Sequence, residues 1–157
     1  MKKLHSKGFT LIELLVVIGI IAVLAAVVII AINPARQFAQ ARNTQRWSNV
    51  NSILNSVGQR LADNKGIFET GCAAGAIPAT ATTIKSGPGG YDMAPCVIPT
   101  YISTLPYDPS AAGAHFTTTA DYDSGYTIQK DSATGRIIVS APGTEIPPET
   151  VSIAVTR

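Results

Sequence analysis

Gly8-Phe9-Thr10-Leu11-Ile12-Glu13 runs without a break into nineteen uncharged residues, Leu14 to Ile32. This stretch decides the fold. At ~1.5 Å of rise per residue, a helix over those nineteen positions reaches roughly 30 Å, the thickness of a bilayer's hydrocarbon core. The run is longer than the apolar segment of an ordinary secretory signal. A short peptide carrying Lys2, Lys3, His5 and Lys7 precedes it. Such a basic flank is expected on the cytoplasmic side of a membrane helix. Glu13 is the unusual residue. A carboxylate at the centre of a membrane-length helix costs about 2.5–3.5 kcal/mol on insertion scales, so one placed in such a run is expected to have a partner. Here the expected partner lies on another copy of the same chain.

The 157 residues amount to one small domain plus an anchor. Beyond the apolar run the chain is rich in Thr, Ser, Gly, Ala and Pro, and its formal net charge is only +2. That balance makes no general case for binding nucleic acid or an anionic membrane.

The string from Lys7 to Ile18 resembles the class III leader of type IV pilins and of the pseudopilins of type II secretion. A looser likeness extends to about Asn64. The resemblance implies cleavage after Gly8 by a prepilin peptidase on the cytoplasmic face, N-methylation of Phe9, and a role in assembly for Glu13. Removing residues 1–8 leaves nine Lys and Arg against ten Asp and Glu. Physical chemistry agrees with the inference. Cleavage frees an amine on Phe9 at a helix N-terminus, where positive charge opposes the macrodipole. Glu13 lies four residues on, roughly 6 Å along the axis. It can neutralise its own amine near the interface, or that of a staggered neighbour in a filament core. A subunit in the wrong register would leave a buried carboxylate unpaired, at several kcal/mol. Glu13 is therefore read as setting register.

Asn33-Pro34 interrupts the helix pattern and predicts a kink or local melting around residues 30–34. Relatives usually place a helix-breaking proline a few residues earlier, where Ile30 stands here. Past it, Trp47, Val50, Ile53, Leu54, Val57 and Leu61 form an amphipathic stripe, expected to be the seam against a sheet. Asn43, Asn49, Gln59 and Arg60 fall on the other faces, and Gly66 suits a C-terminal cap near Ala62. Arg36, Arg42 and Arg46 form a basic cluster with no acid until Asp63. It is read as a solvated face, or as a contact with lipid headgroups or neighbouring subunits, with phosphate or DNA as the alternative.

Residues 66–100 read as a Gly/Ala/Pro/Thr-rich connection containing Cys72 and Cys96. A segment delivered outside the cytoplasm can keep a disulfide, worth about 3 kcal/mol in the chain-entropy model. Two buried free thiols are the alternative. Relatives often place their disulfide around the C-terminal loop, so the role of that loop does not carry over. Tyr126–Lys130 and Arg136–Ser140, joined by Asp131-Ser132-Ala133-Thr134-Gly135, give a hairpin signal. Val151–Val155 predicts a third strand and His115–Thr118 a weaker fourth. Leu105-Pro106-Tyr107-Asp108-Pro109 resembles a segment found before the sheet in pseudopilins and some pilins.

Asp108, Asp121 and Asp123 are weak candidates for calcium, since Asp121-Tyr122-Asp123-Ser124-Gly125 has the alternating acids of a calcium loop but lacks its terminal Glu. Polar turn residues are the plainer reading, and no cofactor is expected. After processing His115 is the sole histidine, no nucleophile–base pair can be assembled around it, and Gly87-Pro88-Gly89-Gly90 reads as a flexible turn and not as a phosphate loop. The chain is not expected to be an enzyme.

The resulting expectation is an α+β, pilin-like lollipop. Its parts are a leader (1–8), a transmembrane and filament-core helix (9–32), an amphipathic continuation (33–65) and a head (66–157) with a disulfide loop and a three- or four-stranded antiparallel sheet. Such a subunit waits in the bacterial inner membrane, N-terminus cytoplasmic. It then joins its own kind, with the inner-membrane assembly machinery, in an extracellular pilus or periplasmic pseudopilus. A membrane-anchored binding domain that never polymerises is the competing class.

Overall fold

The computed structural model describes residues 8–145 and 153–157. The chain is α+β and divides into two compact units, Met1–Phe38 and Ala39–Arg157.

The first unit is built on α1, Leu11–Ile32, a 22-residue helix with no buried residue. It is long and apolar enough to cross a membrane. Its end explains the expected kink. Asn33 takes a left-handed conformation with φ 48° as the C-cap of α1, a conformation that Asn tolerates better than most residues. The Asn33 carbonyl then accepts the amides of Arg36 and Gln37 at 3.1 and 3.3 Å. Pro34 opens α2, Pro34–Asp63, where its missing N–H costs nothing. The expected helix and its amphipathic continuation are therefore two α-helices, separated at Asn33.

In the second unit α2 buries Val50, Ile53, Leu54 and Val57 in one hydrophobic core with Ile84, Tyr126, Ile128, Val139 and Ile153 of the sheet. Fully burying side chains of this kind contributes about 1.5–3 kcal/mol each. Two expectations about this helix need correction. Trp47 is not in the seam but 40 % exposed, and Asn43 and Arg60, placed on outer faces, are buried. The three- and four-residue spacing finds the apolar stripe but cannot show that buried polar partners widen it. After Asp63, Lys65 and Gly66 take positive φ and the Gly66 amide reaches back to the Leu61 carbonyl at 2.8 Å, so Gly66 does help to close the helix.

Among the described residues the sheet has five antiparallel strands, more than the three or four expected. They are β1 (Thr82–Lys85), β2 (His115–Thr118), β3 (Asp121–Lys130), β4 (Ile137–Ala141) and β5 (Ile153–Thr156). The order is β1-β3-β4-β5, with β2 also paired to β3. The hairpin register pairs Lys130 with Ile137 and Thr127 with Ser140. Its turn is held by Asp131, whose Oδ1 accepts the amides of Ala133 and Thr134, both at 2.8 Å. Val151 and Ser152 of the expected third strand lie outside the described residues, and β5 begins at Ile153. A short helix, α3 (Ala94–Val97), places Cys96 in the core, bonded to Cys72.

Asp121–Gly125, expected as a loop, is the first half of β3. Tyr122, Ser124, Tyr126 and Ile128 alternate onto the core face. Gly125 has φ 70°, and a Cβ there would sit 3.0 Å from Asp108 Cβ. The Asp-Ser-Gly rhythm therefore serves a close backbone approach inside a strand.

Candidate functional site

The candidate site is the start of α1. Gly8, Phe9 and Thr10 are non-helical and exposed, with Phe9 82 % exposed. Thr10 is extended and caps the helix. Its hydroxyl accepts the Glu13 amide at 3.2 Å, while Glu13 Oε2 accepts the Thr10 amide at 2.8 Å and the Thr10 hydroxyl at 2.7 Å. This is a capping box, two otherwise unsatisfied donors answered reciprocally across Thr-x-x-Glu. The Thr10/Glu13 spacing is the sequence signature of that motif.

The geometry bears on two pieces of chemistry. A protease needs accessible backbone that is not helical, and Gly8-Phe9 offers it just before the helix begins. An acid able to meet a terminal amine must stand near the point of cleavage. The capping box holds the Glu13 carboxylate against the Thr10 amide, one residue from the nitrogen that a cut after Gly8 would release. The model of the prokaryotic N-terminal methylation motif matches residues 3–32. The matched residues are similar to the class III prepilin leader, which supports the type IV pilin and pseudopilin family. For a pilin-type chain, that leader implies processing by a prepilin peptidase and assembly into filaments, and the apolar α1 fits membrane anchoring beforehand. No curated protein and no solved structure matches the chain. Lys7 and the residues before it lie outside the described residues.

The remaining candidates lie in the head. Arg46 is fully buried, not part of a solvated face. Its Nε donates to Asp108 Oδ2 at 2.7 Å, and its other nitrogens reach Asp108 Oδ1, Asn43 Oδ1, Ser110 Oγ and Glu145 Oε1 at 2.6–3.0 Å. Arg42, half-exposed, forms a fork with the Glu145 carboxylate. Of the three basic residues read as one patch, two are thus engaged by acids of their own chain. Burial pushes the Asp108 carboxyl up, but the Arg46 bonds and the amides of Ser110 and Ala111 outweigh it and hold the group below the usual carboxylate range. Glu145, bonded by Arg42, desolvated in part and bonded also by Arg46 and Ser110, is lowered to about 2.

The three calcium candidates are not gathered together. Asp108 serves Arg46, Asp121 pairs with His115 at 3.2 Å, and Asp123 Oδ1 accepts the Gly125 amide at 2.9 Å. Among the described residues no group of three His, Cys, Asp or Glu side chains is placed to hold a metal. Cys72 and Cys96 are joined, with Cα atoms 5.5 Å apart.

Proposed function

We propose that this chain is a structural subunit of a type IV pilus. It is cleaved between Gly8 and Phe9, N-methylated on Phe9, and polymerised by exchanging the lipid around α1 for the apolar helices of neighbours. In the filament, Glu13 neutralises the Phe9 amine of an adjoining subunit. The observation that carries this reading is the junction itself. An exposed, non-helical Gly8-Phe9 is followed closely by a capped, apolar helix whose sole charged residue, Glu13, stands in its first turn. The disulfide in the head suits a domain that matures outside the cytoplasm. An exposed α1 of 22 residues needs either lipid or copies of itself to cover it.

Gly8→Ala tests the processing step without disturbing the fold. No atom lies within 4 Å of where the added Cβ would stand, so a defect would report on the peptidase and not on folding. The expected result is accumulation of full-length precursor on a blot probed with antibody to the head. A normally sized product would remove the peptidase from the account. Electron microscopy of sheared surface material labelled with the same antibody separates the assembled forms. Long labelled filaments support the pilus. Short periplasmic assemblies indicate a pseudopilus, and label confined to membranes indicates a binding domain that never polymerises.

A further inference from the structure

The disulfide loop is fastened at a second point that is not covalent. Arg60, on the last turns of α2, is only 8 % exposed. Its three nitrogens donate to three backbone carbonyls: Nε to Phe68 at 2.7 Å, Nη2 to Thr70 at 2.8 Å and Nη1 to Cys96 at 2.7 Å. The guanidinium carbon also lies 5.3 Å from the centroid of the Phe68 ring. Phe68 and Thr70 belong to the arm that leads into Cys72, and the third carbonyl belongs to Cys96 itself. A single planar fork therefore spans both arms of the loop that the disulfide closes. The two arms differ in what else holds them. Cys96 sits in α3 among the buried side chains Met93, Ala94 and Val97. The Cys72 side is held by the buried Phe68 ring, 6.1 Å from that of Tyr91, by the Cys72 amide to the Glu69 carbonyl at 3.0 Å and by the Tyr91 hydroxyl to the Gly75 carbonyl at 2.9 Å.

We propose that Arg60 is a positioning residue for oxidative folding: it holds the Cys72 arm against Cys96 before the disulfide exists, and so sets how readily that bond forms. The chemistry is thiol–disulfide exchange with an external disulfide. One cysteine thiolate attacks that disulfide, forming a mixed disulfide and expelling one thiolate. The second cysteine's thiolate then attacks the mixed disulfide, closing Cys72–Cys96 and expelling the other. Two protein thiols are oxidised, one external disulfide is reduced to two thiols, and the protons pass from the cysteines to the departing thiolates. The arms must meet at the second attack, and their effective concentration is what a preformed clamp raises. Guanidinium geometry matters here, because three carbonyls at fixed angles match a rigid fork and not the point charge of a lysine.

The test is the equilibrium between the full-length chain in detergent micelles and reduced and oxidised glutathione at set ratios, read by thiol alkylation and mass spectrometry. Arg60→Lys and Arg60→Gln should each shift the balance toward the dithiol by roughly tenfold or more, in line with the loss of charge-assisted hydrogen bonds. The exposed neighbour change Gln59→Ala should leave it at the wild-type value. If Arg60→Lys oxidises as readily as wild type, the proposal is overturned. A second measurement does not depend on those variants folding. In Cys72→Ser/Cys96→Ser, which keeps Arg60, the Cys72-position amide should remain protected from hydrogen exchange well above unfolded-chain rates. Exchange there at unfolded-chain rates, with α2 and β3 still protected, would equally overturn it.

Discussion

Arg46→Ala is expected to destabilise the head by about 3–5 kcal/mol, the usual result of removing one partner from a buried ion pair. Asp108 is the reason. Its side chain is 1 % exposed and faces Arg46 Nε at 2.7 Å. With the guanidinium gone, the amides of Ser110 and Ala111 remain, but a carboxylate with no counter-charge in the interior must either stay desolvated or take up a proton. Gly143 lies close against the same group, 3.5 Å from Arg46 Nη2 by its would-be Cβ, so the 142–145 segment loses its support as well. Thermal melts of the full-length chain in detergent, followed by near-ultraviolet circular dichroism, would measure the loss. A melting temperature within a degree or two of wild type would show that the pair contributes little. The companion change Arg46→Met with Asp108→Leu should recover much of the stability, because the expense lies in breaking the pair and not in lacking it.

The same cluster gives a pH dependence with a definite sign. Glu145 falls from an ordinary 4.5 to about 2 in the folded chain. Its contribution is present above the unfolded value and is lost as pH falls through the folded one, so the melting temperature should decline between about 4.5 and 2. Glu145→Gln should flatten that decline while lowering stability at neutral pH. Because the pair Arg42–Glu145 is partly exposed, with side chains 37 % and 23 % accessible, its share is modest and salt-sensitive.

What the sequence disclosed depended on how local the deciding physics is. The apolar run, the break at Asn33-Pro34, the hairpin around Asp131 and the strands at His115 and Ile153 announce themselves within a few residues, and the structure has them all. β1 was lost within a Gly/Pro/Thr-rich connection because it is four residues long, Thr82–Lys85, and only Ile84 is fully buried. Asp121–Gly125 has the composition of a turn yet lies in β3. Gly125 there answers the approach of Asp108 from a segment seventeen residues earlier, which no local pattern records. Arg46 was assigned to solvent for the same reason. Its partners lie 62 and 99 residues away, and a cation's burial depends on acids that the helix itself does not contain. Asp108, weighed as a calcium ligand, proved to be the counter-ion of that arginine. At the candidate site the reverse holds. Gly8, Phe9, Thr10 and Glu13 are neighbours in the chain, so what the structure shows there, a capping box, is local, and the Thr-x-x-Glu spacing marks it.

For Glu13 the observed cap and the proposed pairing can be separated, because their magnitudes differ enough. As the N3 member of a capping box it contributes on the order of 1 kcal/mol to the start of α1. As the counter-ion of a buried amine in a filament it would be worth several kcal/mol, since the amine left behind has no other partner in an apolar bundle. Glu13→Gln distinguishes these roles, because glutamine also serves at that position of a capping box but has no charge. The expected result is normal insertion and normal cleavage after Gly8, with surface filaments reduced at least tenfold by quantitative shearing and blotting. Thr10→Val, which removes the capping hydroxyl and keeps the acid, should cost far less assembly. Were Glu13→Gln to assemble like wild type while Thr10→Val failed, the helix cap would be the function and charge pairing would not. Were both to assemble normally, neither interaction would govern polymerisation, and the packing of α1 against its copies would have to set register alone. The apolar face of α1 is poorly suited to that task. Its Leu, Ile, Val and Ala side chains repeat with little distinction from turn to turn, so sliding by one turn would change the burial little. On the proposed pairing, a single acid at one end, matched to a single amine, would supply the discrimination that a uniform greasy surface lacks.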